Sequence, residues 1–138
     1  MQYAENAAKI AFKVHSGNGP YLLLVHGFLS SKAQWQANIE ALGRVCRPIT
    51  AELWGHGQSP APEESGHYAP SSYALEFEKI RKKLGAENWF VCGYSIGASL
   101  SIRYAIDFSK IKKELGWTPK THFNNGIIET INWYISKK

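Results

Sequence analysis

The chain has 138 residues, 44% of them hydrophobic and 20% charged, with a formal net charge of +5. That length suits one compact domain able to bury roughly two thirds of its unfolded surface without disulfide staples. Abundant Trp and Tyr exclude a disordered class, and the absence of any long apolar run or basic–hydrophobic leader predicts a cytoplasmic protein that neither inserts into a membrane nor is exported. Cys46 and Cys92 lie in strand-like runs without CxxC or His spacing, so both are expected to be buried, reduced thiols rather than a metal or redox site. The excess charge is uneven: residues 107–138 hold six Lys/Arg against three Asp/Glu. Those lysines are scattered and no recognition motif accompanies them, so they predict a solvated face and no nucleic-acid partner.

Residues Lys9 to Val14 alternate in strand fashion, Gly17 to Pro20 form a turn, and Tyr21 to His26 read as a buried strand. Trp35, Ile39 and Leu42 then fall at helical spacing, with Gly43 as a stop. A strand over Arg47 to Leu53 tolerates Pro48 near its start. Residues 54–72, WGHGQSPAPEESGHYAPSS, are too rich in Gly, Pro and Ser for regular structure, and a loop of that length is often functional. A helix from Ser72 buries Tyr73, Phe77, Ile80 and Leu84 and ends at Gly85. Asn88 to Cys92 is a further buried strand, and Ile96 to Ile106 a helix. Strands alternating with helices predict an α/β fold of three layers, α/β/α, around a small, mostly parallel sheet. Beyond Asp107 the pattern becomes helical only: a short helix over Ser109 to Leu115, a block at Pro119, and a last helix with Phe123, Ile127, Ile131 and Tyr134 on one face.

GYSIG, residues 93–97, joins an apolar strand to an apolar helix. A serine hydroxyl must stand clear of the backbone to meet a carbonyl carbon, and a tight strand-to-helix turn achieves that exposure. Flanking glycines relieve the crowding, and the helix beginning at Ile96 offers free N–H groups to a developing oxyanion. Upstream, VHGFLSS, residues 25–31, ends the Tyr21 strand, and Gly27 permits a turn that aims the Phe28 N–H at the same oxyanion. His26 is expected to shape this loop through a structural hydrogen bond, and His56 to be a turn residue. Trp35 and Trp54 are candidates to line a substrate pocket, with core packing as the competing role.

LLLVHGFLSSKAQW, ELWGHGQSPAP and FVCGYSIGASLSIRYA together resemble the amino-terminal half of the α/β-hydrolase superfamily, in its esterase and carbon–carbon hydrolase branches, over about residues 8–106. The resemblance implies Ser95 as nucleophile, the backbone N–H groups of Phe28 and Ile96 as the oxyanion hole, a small-molecule ester or acyl substrate and no cofactor. Glu52 stands where many relatives carry Asp. The family places its acid and His after the nucleophile, yet only Asp107, Glu114, Glu129 and His122 follow Ser95. Asp107 is about 18 Å along the helix from Ser95 at 1.5 Å per residue. His122 lies in DFSKIKKELGWTPKTHFNNGIIETINWYISKK, residues 107–138, which resembles the carboxyl-terminal end of nucleotide-sugar dehydratases and epimerases such as dTDP-glucose 4,6-dehydratase. That family's GxxGxxG and YxxxK motifs are absent here. The expectation is therefore a truncated hydrolase core joined near Ala105 to Asp107 to a helical tail that docks to complete one domain, with an incomplete catalytic set. The alternatives are a non-catalytic remnant and a half-enzyme completed by another chain. The strand before Ser95 is expected to lack its usual neighbour, and its edge to pair in a homodimer or with a complementing chain or to be covered by the Phe123 to Tyr134 helix.

Overall fold

A computed structural model describes residues 9–108 and 123–136. The chain divides into two compact units, 1–108 and 109–138. The first unit is α/β, with four strands, β1 (Phe12–Val14), β2 (Tyr21–Val25), β3 (Arg47–Ala51) and β4 (Trp89–Gly93), in the order β1-β3-β2-β4. β2 runs parallel to both β3 and β4, whereas β1 is antiparallel to β3, so the small sheet is mixed. In the register Leu23 faces Ile49 on one side and Val91 on the other.

Alternation along the strands sends Leu23, Val25, Ile49 and Ala51 to one face, where they are fully buried with Tyr73, Phe77 and Ile80 of α2 (Pro70–Lys83) and Leu100 and Tyr104 of α3 (Ile96–Phe108). The opposite face is covered over β3 and β2 by a 3₁₀ segment, Lys32–Asn38, that runs into the short helix α1 (Ile39–Gly43). The Trp35–Leu42 stripe therefore forms two pieces, not one helix. Ser31 starts the first by accepting the Ala33 N–H. Helix α2 begins at Pro70, two residues before the expected start, because proline's fixed φ suits a first helical turn and its missing N–H costs nothing there. It ends as expected at Gly85, in the left-handed region at φ 61°, with the Ala86 N–H closing back on the Arg81 carbonyl.

Two expectations are corrected. The first strand is shorter than Lys9 to Val14, because Lys9 and Ile10 give their N–H groups to the buried Glu76 carboxylate and Ala11 gives its own to Ser59 Oγ. Cys92 is exposed, not buried. β4 is an edge strand among the described residues, and Phe90 beside Cys92 is exposed as well. Cys46 is buried and donates to the Leu42 carbonyl, and burial pushes its thiol pKa up.

A polar network ties α2, α3 and β4 together inside this unit. The Trp89 indole N–H donates to the Tyr104 hydroxyl (3.1 Å), which donates to Glu78 Oε2 (2.9 Å), while Arg81 grips Glu78 through two nitrogens (2.9 and 2.7 Å). Arg81 also donates to the Ala86 carbonyl. The Arg81 hydrogen bond holds the Glu78 carboxyl below its ordinary pKa against the opposing effect of burial. Burial, with the adjoining Glu78 carboxylate, pushes the Tyr104 hydroxyl upward.

In the second unit, α4 (Phe123–Ser136) is helical, with Ile128, Ile131 and Ile135 exposed. The expected helix over 109–115, His122, and the side chains of Phe123, Ile127 and Tyr134 lie outside the described residues. Among the described residues no helix is long and apolar enough to cross a membrane.

Removing the Tyr104 hydroxyl by Tyr104→Phe leaves the Trp89 N–H without an acceptor and should cost about 1–3 kcal/mol, measured by denaturant unfolding. Because the Glu78 pKa is lower folded than unfolded, its contribution to stability is complete above the unfolded carboxylate range and is lost as pH falls through the folded value. Glu78→Gln should flatten the acid limb of the stability–pH curve.

Candidate active site

The turn at 93–97 is built by crowding. Ser95 has φ 55°, a left-handed conformation costly for any residue with a Cβ. It is exposed, and among the described residues its Oγ has no hydrogen-bond partner. The turn closes through the Gly97 N–H on the Tyr94 carbonyl (2.9 Å) and the Ala98 N–H on the Ser95 carbonyl (2.9 Å). A Cβ on Gly93 would collide with the Gly97 carbonyl, and one on Gly97 with the carbonyls of Val25 and His26, all inside the 3.0 Å that real Cβ atoms respect. The two glycines thus let the first turn of α3 rest on the end of β2.

The second element lies alongside. A Cβ placed on Gly27 would sit 2.9 Å from the Tyr94 ring and 3.5 Å from Ser95 Cβ, so the Gly27–Phe28 backbone abuts the serine. Both peptide groups of Gly27 are held. Its N–H donates to Gln34 Oε1 (3.0 Å), and its carbonyl lies 2.7 Å from His26 Nδ1. The other ring nitrogen of His26 accepts the Leu53 N–H (3.0 Å), so the proton must be on Nδ1, donating to the Gly27 carbonyl. A trans peptide points its C=O and N–H in opposite directions. Fixing the Gly27 carbonyl toward His26 therefore fixes the Phe28 N–H away from it. Among the described residues, neither the Phe28 nor the Ile96 N–H has an acceptor.

His26 is fully buried, and desolvation lowers its pKa, as does the neighbouring His56, against a smaller upward pull from its Gly27 bond and Glu52. With both nitrogens engaged it acts as a strut. His56 is a turn residue whose Nδ1 lies 2.9 Å from the Trp54 carbonyl, with its ring edge-on to Phe28. The structure places Trp54 in the core beside His67, and Trp35 half-buried on the 3₁₀ segment; both indole N–H groups are buried and have no partner among the described residues. Asp107 is ion-paired to Arg103 (2.8 Å) at the far end of α3. Phe28 and Tyr94, 66% and 62% exposed, form an apolar rim beside Ser95.

Glu52 and Gln34 are the residues that sequence reasoning did not assign. Glu52 is buried, and its carboxylate accepts the Gln58 N–H (2.9 Å) and a Lys32 ammonium hydrogen (3.3 Å). Burial alone would raise its pKa, but these bonds together hold it below the ordinary value. Gly57, at φ 52°, passes so near that any Cβ there would overlap the carboxylate. The GHG motif is thus a wrap around Glu52, legible only as an acidic residue five positions before a glycine. An open groove of about 910 Å³ lies elsewhere, along Lys13, His15, Asn18, Gln36, Glu40 and Arg44. Among the described residues no cluster of His, Cys, Asp or Glu could hold a metal ion.

Gly97→Ala should be among the most destabilising single substitutions in the chain, because the obstructing atoms are backbone; about 3 kcal/mol or more is expected, against a change several-fold smaller for Gly66→Ala, where the space is open. Paired denaturation curves measure the difference.

A family model described as the alpha/beta hydrolase fold matches residues 20–114, running past the change of character at residue 107. Bifunctional epoxide hydrolase 2 of Mus musculus is 36% identical over 73 residues, 52% of this chain and 13% of that protein. The pimeloyl-[acyl-carrier protein] methyl ester esterase of Nitrosomonas europaea is 32% identical over 88 residues, 64% of this chain and 32% of that one. Among solved structures, the bromoperoxidase from Bacillus anthracis superposes with a TM-score of 0.65 at 26% identity, over 72% of this chain and 36% of its own. The chain spans about a quarter (26%) of the length of the first curated relatives it matches. With a family match over residues 20–114, most of its length, the chain belongs to the α/β-hydrolase-fold family.

Proposed function

We propose that the chain is a serine-hydrolase-type protein acting on small-molecule esters or related acyl compounds, with Ser95 as the nucleophile and weak turnover. The observation that carries this reading is an exposed serine at φ 55° beside a backbone loop whose free N–H is fixed in direction. Addition of Ser95 Oγ to an acyl carbon would move negative charge onto the carbonyl oxygen. The Phe28 and Ile96 N–H groups would receive that charge, as preorganised donors do in oxyanion holes.

Between the kinds of relative, an acyl substrate is favoured by the chemistry of the residue itself. Opening an epoxide with a serine would leave an alkyl ether, which has no acyl carbon for water to attack. Acylation leaves an ester, which water can release.

The proposed weak turnover rests on how the candidate bases and acids among the described residues are already engaged. Both His26 nitrogens are engaged, His56 faces Phe28, and Asp107 is committed to Arg103. His122 lies in residues 107–138, which the comparisons with known proteins do not liken to a dehydratase and which this reading takes as a structural tail. A serine protease stripped of triad members retains about 10³- to 10⁴-fold catalysis over water from its oxyanion hole and binding, so slow hydrolysis of activated esters remains chemically reasonable.

The test compares the parent, Ser95→Ala and His122→Ala on one nitrophenyl ester and one organophosphorus probe, with folding verified for each. Slow hydrolysis and slow labelling lost in Ser95→Ala, with His122→Ala within twofold of the parent, is the expected result. A loss in His122→Ala equal to that in Ser95→Ala would show the tail supplying the base. Parent activity indifferent to Ser95→Ala would remove the nucleophile from this reading.

A further inference from the structure

The two candidate donors beside Ser95 are held in different ways. The Ile96 N–H belongs to the first turn of α3, where the Gly97 N–H bonds the Tyr94 carbonyl (2.9 Å) and the Ala98 N–H bonds the Ser95 carbonyl (2.9 Å), so backbone alone sets its direction. The Phe28 N–H follows Gly27, and the neighbouring ring forces that glycine: a Cβ there would stand 2.9 Å from Tyr94. Glycine opens more backbone freedom than any other residue. Here it does so immediately before the donor.

His26 removes part of that freedom. Its Nδ1 holds the Gly27 carbonyl (2.7 Å), which anchors the 27–28 peptide at its oxygen and leaves the plane able to pivot about that one bond. The second anchor is Gln34, whose Oε1 accepts the Gly27 N–H (3.0 Å) and so holds the peptide plane on the other side of the Gly27 Cα. Because each peptide is planar, holding two neighbouring planes fixes both dihedrals between them. The Phe28 N–H therefore has a single direction only while both bonds stand. Gly27 offers a donor, so the oxygen of the Gln34 amide and not its nitrogen must face it. Gln34 is in turn placed by the start of the 3₁₀ segment, where Ser31 Oγ accepts the Ala33 N–H (3.2 Å) and the Ser31 carbonyl accepts the Gln34 N–H (3.1 Å).

Resting on the reading of Ser95 as nucleophile, we propose that Gln34 is a positioning residue, which touches no substrate and acts through Gly27 to aim the Phe28 N–H at the oxyanion. The donor matters when charge gathers on the carbonyl oxygen in the transition state. Gln34 therefore governs the rate of acylation and leaves binding of the ester unchanged.

The readout is the ratio of acylation rates for a nitrophenyl ester and its thiono counterpart, in which sulfur replaces the carbonyl oxygen. Sulfur is a weak acceptor, so the thiono ester gains little from the donors, and a well-aimed pair shows as a preference for the oxo ester. Gln34→Met keeps the reach of the side chain and removes the oxygen. A donor lost outright costs about 10²- to 10³-fold in rate, and one left to swing is expected to lower the oxo/thiono ratio about tenfold, with KM for the oxo ester unchanged. Gln34→Ala is the second variant in the same comparison, and circular dichroism verifies the fold of each. Hydrogen exchange at the Gly27 amide should quicken in both, whereas Gln34→Glu, which retains an oxygen at the same reach, should keep that amide as protected as in the parent. A parent acylated at Ser95 whose ratio neither Gln34→Met nor Gln34→Ala moves overturns the positioning role alone. So does a ratio that falls while the Gly27 amide stays protected. Parent acylation indifferent to Ser95→Ala instead fails the serine reading, and this inference with it.

Discussion

The first unit is organised around the contact between the first turn of α3 and the end of β2. Gly97 lies against the carbonyls of Val25 and His26, with no space for a side-chain carbon. Because β2 is central, that contact sets how closely α3 lies on the sheet. It also decides where Ser95 emerges and brings Gly27 to within van der Waals reach of Tyr94 and Ser95. The left-handed backbone at Ser95 is the local cost of the sharp reversal. The tight turn, with its hydrogen bonds from Gly97 and Ala98, over-determines it.

Around that contact, the loops are held by buried polar side chains more than by regular structure. Glu76 holds the entering chain at Lys9 and Ile10, Glu52 gathers Lys32 and Gln58, and Glu78 joins α2 to α3 and β4. His26 spans the end of β3 and the Gly27 loop. A buried group of this kind costs free energy unless its bonding capacity is filled, and each of these has at least two partners. The consequence is a site whose backbone donors are fixed by buried struts, beside a serine whose Oγ has no hydrogen-bond partner among the described residues.

The exposed surface is divided in a related way. Within the described residues of the first unit, the core lies on the face covered by α2 and α3, while the 3₁₀ segment and α1 lie over β2 and β3 on the other face. Phe90 and Cys92 on β4 are exposed, as are Phe28 and Tyr94 beside Ser95. Apolar groups rimming a candidate nucleophile can contribute to substrate binding.

The sequence by itself determined β2, β3 and β4, the sharp turn before α3 and the stop of α2, because those signals are local: the short apolar run YLLLV, Gly93 and Gly97 around Ser95, and Gly85 after α2. It also marked His26 as structural and Asp107 as too distant along its helix. Tertiary structure decided the rest. That the Trp35 stripe would split into 3₁₀ and α pieces, that Glu76 would cut β1 short, and that Cys92 would be exposed all depend on which surfaces meet, and periodicity carries no record of that. Glu52 could not be weighed from its position in the chain, since its role comes from a loop folding around the carboxylate. Gln34 likewise became meaningful only once Gly27, seven residues earlier, lay within hydrogen-bond distance. Local patterning fixes elements because each residue reports on its own backbone, whereas a buried hydrogen bond between distant residues exists only after the chain has folded.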